Sequence, residues 1–308
     1  MNKLAASGSR TAFLAIVGRP NVGKSSLLNA LIGAKLAIVS PKPQTTRTRI
    51  MGVWTQGETQ LVFIDTPGLH RAHNRLDDYM EKSIVSSVSG VDACLLVTEA
   101  GEPIRPAEQE LIRRFRAQKL PAVLVINKID TLAQKDKLMA QIADYMKEYD
   151  FAAVVPLSAQ TGDGMDALRE ELEKLAQPGD HFFADDELTD MPEKTLAAEM
   201  IREKLLCLLD HEIPHGTAVA VERMHERDDG SCMDVSATIY CERDSHKGII
   251  IGKQGAMLKK VGTLARQDME AFFQCPINLQ LWVKVKEDWR NRDALLRSFG
   301  YDKNSFEN

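Results

Sequence analysis

The sequence predicts an α/β domain, with a mostly parallel sheet covered by helices on both faces, followed by a small α+β domain. Three observations carry that expectation. From about residue 12 to 176, short apolar runs alternate with helical patterns, and the runs are nearly continuous in Val, Ile, Leu and Ala. Strands of that kind are buried on both faces, as in parallel sheets. Residues 177–193 (QPGDHFFADDELTDMPE) then hold two prolines and six acids with no lysine or arginine, the character of a linker. Beyond them the order becomes helix, strand, strand, helix, helix, strand, which gives no simple β-α alternation.

In the first domain, placed at 10–178, strands are expected at 12–17, 50–55, 60–64, 93–98, 122–126 and 153–156. Each is a short apolar run bounded by turn or helix signals. Helices fit between them, for example at 24–32, 105–118, 135–148 and 165–176. The linker, with its core at 179–193, contains Phe182 and Phe183, which are expected to pack onto one of the two domains.

The second domain is placed at 194–308. Its helix at 194–210 carries Leu196, Met200, Leu205, Leu208 and Leu209 near one face and is broken by Pro214-His215-Gly216. Strands at 217–225 and 232–241 are joined through Asp228-Asp229-Gly230. A short helix at 247–251, a longer one at 256–273 and a strand at 278–285 complete the domain, with a C-terminal tail beyond.

Composition excludes some function classes. The 308 residues carry a net charge of −5, so the chain is not coated in basic residues for general nucleic-acid binding, although summed charge leaves a local basic site open. Five cysteines (Cys94, Cys207, Cys232, Cys241, Cys275) include no C-x-x-C pair, which indicates neither a zinc site nor a disulfide framework. The apolar run at 12–17 is too short for a secretory signal, and no stretch approaches the roughly 18 apolar residues of a membrane span. A cytoplasmic protein is expected.

Gly18-Arg19-Pro20-Asn21-Val22-Gly23-Lys24-Ser25 has the spacing G-x-x-x-x-G-K-S and falls between a predicted strand and a predicted helix. Glycines there let the backbone wrap phosphates, and N–H groups at the helix N-terminus point at the anion. Lys24 would reach the β- and γ-phosphates, and Ser25 would ligate Mg²⁺. That loop alone says only nucleotide. Asp65-Thr66-Pro67-Gly68 follows the strand at 60–64. In isolation it reads as a plain turn, but there it puts an acid near Mg²⁺ and a glycine near the γ-phosphate.

Base choice is read from Asn127-Lys128-Ile129-Asp130, again after an apolar strand. The Asp130 carboxylate can accept hydrogen bonds from the guanine N1–H and N2 amine. Adenine offers no such donor pair and would leave the buried acid unpaired. Ser158-Ala159-Gln160 follows the next strand, with the Ala159 N–H aimed at guanine O6.

With these four segments in order, the first domain resembles the translation-factor-related GTPases. In that family a threonine of switch I, here Gln44-Thr45-Thr46-Arg47, ligates Mg²⁺ when the γ-phosphate is present. The resemblance favours Thr46 as metal ligand and participant in catalysis; the sequence itself does not decide between Thr45 and Thr46. Many switch GTPases place a water-orienting glutamine just after D-x-x-G, where this chain has Leu69. That departure implies slow intrinsic hydrolysis or another catalytic aid. In related loops the asparagine matching Asn21 helps hold a potassium ion against the phosphates; the alternative is a hydrogen bond within the loop.

In the second domain, Gly252-Lys253-Gln254-Gly255 sits between two helices just after Ile249-Ile250-Ile251, flanked by His246, Lys247, Lys259 and Lys260. The α-β-β-α-α-β order and this basic G-x-x-G loop resemble a type II KH domain. The resemblance implies that Lys247, Ile251, Gly252, Lys253, Gln254, Gly255 and Lys259 hold an RNA backbone beside an apolar groove for bases.

A P-loop G domain followed by a type II KH domain, ending in L-W-V-K-V-K at 281–286, resembles the Era family of bacterial GTPases from about residue 12 to 301. That resemblance implies a monomer that hydrolyses GTP, binds the 3′ end of small-subunit rRNA and assists small ribosomal subunit maturation. It also implies a peripheral fraction at the cytoplasmic face of the inner membrane. Mg·GTP would order the switches at 36–49 and 65–80 and alter the hold on RNA. Two rivals stand beside this reading. A metabolic P-loop kinase or ATPase is disfavoured by N-K-x-D, and an RNA-binding protein that holds nucleotide without turnover is kept open by Leu69.

Overall fold

The computed structural model describes residues 8–42, 45–68, 74–88, 90–132 and 135–301. They form two compact units, one from the described parts of 1–37, 46–71 and 81–190, the other from those of 38–45, 72–80 and 191–308.

The first half of the chain runs β1 (Arg10–Gly18), α1 (Lys24–Ile32), β2 (Ile50–Gln56), β3 (Thr59–Asp65), α2 (Arg75–Val88), β4 (Ala93–Glu99), α3 (Pro106–Gln118), β5 (Ala122–Asn127), α4 (Lys135–Glu148), β6 (Ala153–Pro156), α5 (Met165–Glu173) and β7 (Gln177–Pro178). The sheet order is β2-β3-β1-β4-β5-β6, with the short β7 antiparallel to β1. All other pairs are parallel except the β2–β3 hairpin. Strands β4 and β5 are buried along nearly their whole length, as their apolar runs require. One face packs Ala15, Val17, Leu96 and Ile126 against Leu111, Phe115 and Tyr145. The carboxyl ends of β1, β3, β5 and β6 lead into Gly18, Asp65, Asn127 and Ser158. These four motifs of the first domain therefore lie at the sheet edge where open α/β folds bind ligands.

Helix α2 is an addition to the helices named from sequence. Helix α5 stops at Glu173, short of the expected 176. The linker is not a free tether. His181 reaches the Glu58 carbonyl at 3.1 Å, Thr189 donates to the Met51 carbonyl at 2.6 Å, and Phe182 packs edge-on to Phe13 with centroids 4.9 Å apart. Its central hold is Gln60, 0% exposed, whose Oε1 accepts the N–H groups of Phe182 (2.8 Å) and Phe183 (3.0 Å) while Nε2 donates to the Phe183 carbonyl (3.0 Å). Gln60→Ala would strand three backbone groups, so it should lower stability by about 1–3 kcal/mol, read as a lower urea midpoint with unchanged slope. An unchanged midpoint would show that water replaces the amide without cost.

The second unit contains α6 (Glu193–Leu208), β8 (Ala218–Glu226), β9 (Met233–Cys241), α7 (Asp244–Ile251), α8 (Ala256–Phe273), β10 (Ile277–Val285) and α9 (Asp293–Ser298). Strand β9 is central, antiparallel to β8 and parallel to β10. One core joins Met200, Ile201 and Leu205 of α6 to Val261, Ala265 and Met269 of α8 over Val235, Ala237 and Ile239. A second apolar cluster gathers Trp289, Leu296 and Tyr301 with Leu76, Tyr79 and Met80 from the start of α2. The Trp289 indole donates to the Gly216 carbonyl at 2.9 Å. The segment after β10, expected only as a tail, is thus a built part of this unit. None of the five cysteines forms a disulfide, and burial pushes the Cys94 thiol up to about 12.

Candidate nucleotide site and nucleic-acid groove

The loop between β1 and α1 is shaped by its neighbours. Gly23, the N-cap of α1, has φ of +95°, and a Cβ there would lie 2.2 Å from Asn127 Nδ2. Both the left-handed backbone and the contact require glycine. A Cβ on Gly68 would lie 2.8 Å from the Pro20 backbone, so glycine lets D-T-P-G run directly against the phosphate loop. Asn21 holds a left-handed φ of +63° within that loop.

Lys24 is 6% exposed, and its ammonium donates to the carbonyls of Gly18 (3.1 Å) and Arg19 (2.8 Å). Burial brings its pKa down to about 8, against the attraction of Asp65, which raises it. Asp65 is 0% exposed, and burial pushes its carboxyl up to about 6 although Lys24 and Ser25 favour the charged form. Ser25 Oγ donates to Asp65 Oδ2 at 2.7 Å, Ser25 and Thr46 hydroxyls lie 2.9 Å apart, and Thr46 Oγ1 reaches the same carboxylate oxygen at 3.4 Å. Asp65 Oδ1 is buried with no hydrogen-bond partner. A cluster of hard oxygens with one acceptor left over matches what Mg²⁺ takes from a protein. Of the two threonines the sequence left open, Thr46 joins this cluster, whereas Thr45 Oγ1 donates to the Lys42 carbonyl at 2.7 Å. Thr66 is buried and its hydroxyl donates to the Ile16 carbonyl at 3.0 Å, which anchors D-T-P-G to β1.

Asn127 ties the base-reading segments to the phosphate loop. Its Nδ2 donates to the Val22 carbonyl at 2.9 Å, and its Oδ1 accepts the N–H groups of Lys128 (2.8 Å) and Ala159 (3.0 Å). The sequence reading aims the Ala159 N–H at guanine O6; here that N–H donates to Asn127 Oδ1. Ser158 is buried and its hydroxyl accepts the Thr161 N–H at 3.1 Å, which closes the turn through Gln160. Lys128 pairs with Glu99 at 2.8 Å. Ile129 and Asp130 begin a single 3₁₀ turn, and Asp130, expected from sequence as a buried acid, is exposed at the tip of that turn. Leu69 and Gln44 lie outside the described residues.

One supporting group was missed from sequence. Glu108 of α3 is 0% exposed and accepts Arg19 Nε at 2.8 Å, the Thr98 hydroxyl at 3.2 Å and the Arg105 N–H at 2.7 Å. It fixes a phosphate-loop side chain from a helix 83 residues beyond the loop's Ser25. No spacing rule relates the two.

In the second unit, α7 ends at Ile251 and Gly252 leads into a 3₁₀ turn, Lys253–Gly255, before α8. Lys253 and Gln254 are exposed at its tip, while Lys247 and Ile251 are half-buried behind it. Gly255 and Lys259 open a groove of about 440 Å³ that continues along α8 past Gly262 and Arg266, with Leu279 and Leu281 of β10 opposite. Gly262, Arg266 and the β10 leucines were not singled out from sequence. Their signal was the i, i+4 step from Leu258 through Gly262 to Arg266, a single helix face.

Comparison with known proteins follows the same division. Residues 13–128 match the family of 50S ribosome-binding GTPases, and residues 212–290 match the KH domain family. The GTPase Era of Clostridioides difficile is 49% identical over 293 residues, covering 95% of this chain and 99% of the relative. That of Geobacter metallireducens is 47% identical over 292 residues, 95% of this chain and 98% of the relative. Among solved structures, Era in complex with MgGDPNP and nucleotides 1506–1542 of 16S ribosomal RNA superimposes with a TM-score of 0.91 at 37% identity, covering 96% of this chain and 99% of that one. An Aquifex aeolicus Era variant bound to GDP and aluminium fluoride gives 0.90 at 37% identity, covering 95% of this chain and 99% of that one. The chain belongs to the Era family of GTPases.

Proposed function

We propose that this chain is a GTP-driven switch whose G domain (10–178) is joined by the linker at 179–193 to a KH domain (194–308) that binds the 3′ end of small-subunit rRNA and assists maturation of the small ribosomal subunit. The observation that carries the nucleotide half is the buried Ser25–Thr46–Asp65 cluster beside Lys24, with Asp65 Oδ1 unsatisfied. Ser25, Thr46 and Asp65 would hold Mg²⁺, which supplies fixed positive charge against the phosphates. The Lys24 ammonium, already drawn from water, opposes the charge that spreads over the γ-phosphoryl oxygens as the bond to the leaving diphosphate weakens. Backbone N–H groups of residues 18–25 orient the phosphates, and Asp130 selects guanine. With leucine where a glutamine would orient water, we assign that help to an ion at Asn21; phosphate release in potassium against sodium tests it. ATP that competes as well as GTP in that assay would refute the guanine assignment.

The RNA half rests on the groove between α8 and β10, which opens at Gly255 of the G-x-x-G turn and at the exposed Lys259 of α8. The superimposed Era complex holds MgGDPNP and nucleotides 1506–1542 of 16S ribosomal RNA, which supports both halves of this reading. A peripheral fraction at the inner membrane is carried by the family resemblance alone. Among the described residues no helix is long and apolar enough to cross a membrane.

Aspartates at both Lys253 and Gln254 should weaken binding of a single-stranded rRNA 3′-end oligonucleotide by about 1–3 kcal/mol and flatten its salt dependence. Two negative charges would then stand where phosphates approach. GTP hydrolysis without RNA should stay at the parent rate. Fluorescence anisotropy at several salt concentrations reads the first quantity. An unaltered affinity in the folded variant sinks the groove assignment.

A further inference from the structure

A chain of polar side chains runs inside the first unit from α4 to the phosphate loop. Tyr145, Thr98 and Glu108 are each 0% exposed. Burial and the Glu108 carboxylate push the Tyr145 hydroxyl up in pKa, so it stays a donor, and it donates to Thr98 Oγ1 at 3.1 Å. Thr98 then has its own proton for the next acceptor and gives it to Glu108 Oε1 at 3.2 Å. Arg19 Nε donates to the same oxygen at 2.8 Å, and the Arg105 N–H donates to Oε2 at 2.7 Å. A buried ion pair is often no more stabilising than apolar side chains of the same volume. Stability alone therefore does not account for this carboxylate.

The backbone at Arg19 supplies another account. The Lys24 ammonium donates to two carbonyls, those of Gly18 at 3.1 Å and Arg19 at 2.8 Å. These belong to the two peptides that meet at the Cα of Arg19, and each peptide is a rigid plane. Only φ and ψ of Arg19 set the angle between them, and Pro20 narrows that choice further. A clamp on the Arg19 side chain thus fixes the cradle of the ammonium. Strand β4 meets the same stretch twice. A Cβ on Gly18 would lie 2.3 Å from the Val97 carbonyl, and the next residue, Thr98, reaches Arg19 through Glu108. We propose that Glu108 of α3 is a positioning residue for Lys24: through Arg19 it fixes the two carbonyls from which the ammonium is delivered to the β- and γ-phosphates. The proposal rests on the reading of residues 18–25 as the phosphate loop.

The test uses the full chain and four variants: Glu108→Gln, Lys24→Ala, the Lys24→Ala/Glu108→Gln double variant and the Arg19→Met/Glu108→Gln double variant. Glutamine keeps the shape of the side chain, loses its charge and turns one acceptor oxygen into a donor. Affinities for GTP, GDP and GMP are measured by competition against a fluorescent GDP, with melting temperature on the same preparations. Glu108→Gln should weaken GTP and GDP by about 10-fold or more and to the same extent, as a displaced binding group does. GMP ends at the α-phosphate and does not meet Lys24, so its affinity should stay at the parent value. Adding Glu108→Gln to Lys24→Ala should cost GDP nothing more, because Glu108 acts through that ammonium. Arg19→Met/Glu108→Gln buries no unpaired charge and should melt near the parent, yet still bind GTP and GDP weakly.

A GMP loss equal to the GDP loss, additive losses with Lys24→Ala, or affinity that returns with stability in the Arg19→Met/Glu108→Gln variant would each overturn the proposal. So would parent affinities in folded Glu108→Gln. Should Glu108→Gln fail to fold, the Arg19→Met/Glu108→Gln variant carries the same expectations for all three nucleotides. If Lys24→Ala leaves GDP affinity intact, the phosphate-loop reading fails; if Lys24→Ala weakens GDP and the Glu108 variants are silent, only the Glu108 inference fails.

Discussion

Lys24→Ala should reduce GTP turnover by about 10³-fold or more, to the limit of a phosphate-release assay, and weaken GTP binding. The ammonium is buried, its pKa is drawn down to about 8, and its two present partners are backbone carbonyls at 3.1 and 2.8 Å. Neutral acceptors hold such a charge less well than phosphate oxygens do, so the lysine is poised to exchange them for the nucleotide. Alanine removes that ammonium and also leaves Asp65 without the cation that favours its ionised form. Ser25→Ala should act differently. Its hydroxyl bridges Asp65 and Thr46, so its loss should shift the Mg²⁺ titration to higher concentration more than it changes affinity at saturating metal. Either variant turning over GTP at the parent rate would mean that the loop at 18–25 is not the phosphate site.

The parts of this site that were legible in sequence are those whose backbone chemistry leaves few alternatives. Gly23 must be glycine because of its left-handed φ and its contact with Asn127, and that demand appears in the sequence as G-K-S at a strand–helix junction. Strands β4 and β5 were readable because burial on both faces leaves only apolar runs. Groups that act through partners far away in the chain were not readable. Gln60 sits inside an apolar strand, where a lone glutamine looks like a solvent position; it is buried because its amide matches linker backbone 122 and 123 residues later. Glu108 falls among the charged positions of α3, with nothing in its spacing to set it apart, yet its carboxylate meets Arg19. The tail after β10 lacked periodicity over its few residues, and its order comes from Trp289 and Tyr301 meeting Leu76 and Tyr79. The groove was read at its mouth, where G-x-x-G breaks the helix, and not along α8, where Gly262 differs from its neighbours only in what it leaves room for.

Asp130→Asn should convert a GTP-selective site into one that prefers XTP, with GTP affinity falling by about 10²-fold or more. Guanine presents two donors on one edge, N1–H and the N2 amine, and a carboxylate answers both with two acceptor oxygens. Asparagine keeps one acceptor and replaces the other with an amine, which faces the N2 amine donor to donor. Xanthine carries a carbonyl at that position, so the amide finds a partner again. The surrounding structure favours a clean reading of this variant. Asp130 is exposed, and the loop around it is held by other residues, through Asn127 to Val22 and Ala159 and through Lys128 to Glu99. Melting should therefore stay within about 0.5 kcal/mol of the parent, as for an ordinary surface substitution. Affinities for GTP, XTP and ATP are measured by competition against one fluorescent guanine nucleotide for the parent and one xanthine nucleotide for the variant. GTP affinity unchanged in the variant would remove Asp130 from the base site. A loss of GTP affinity without any gain for XTP would mean that the loop, and not the carboxylate, had been disturbed.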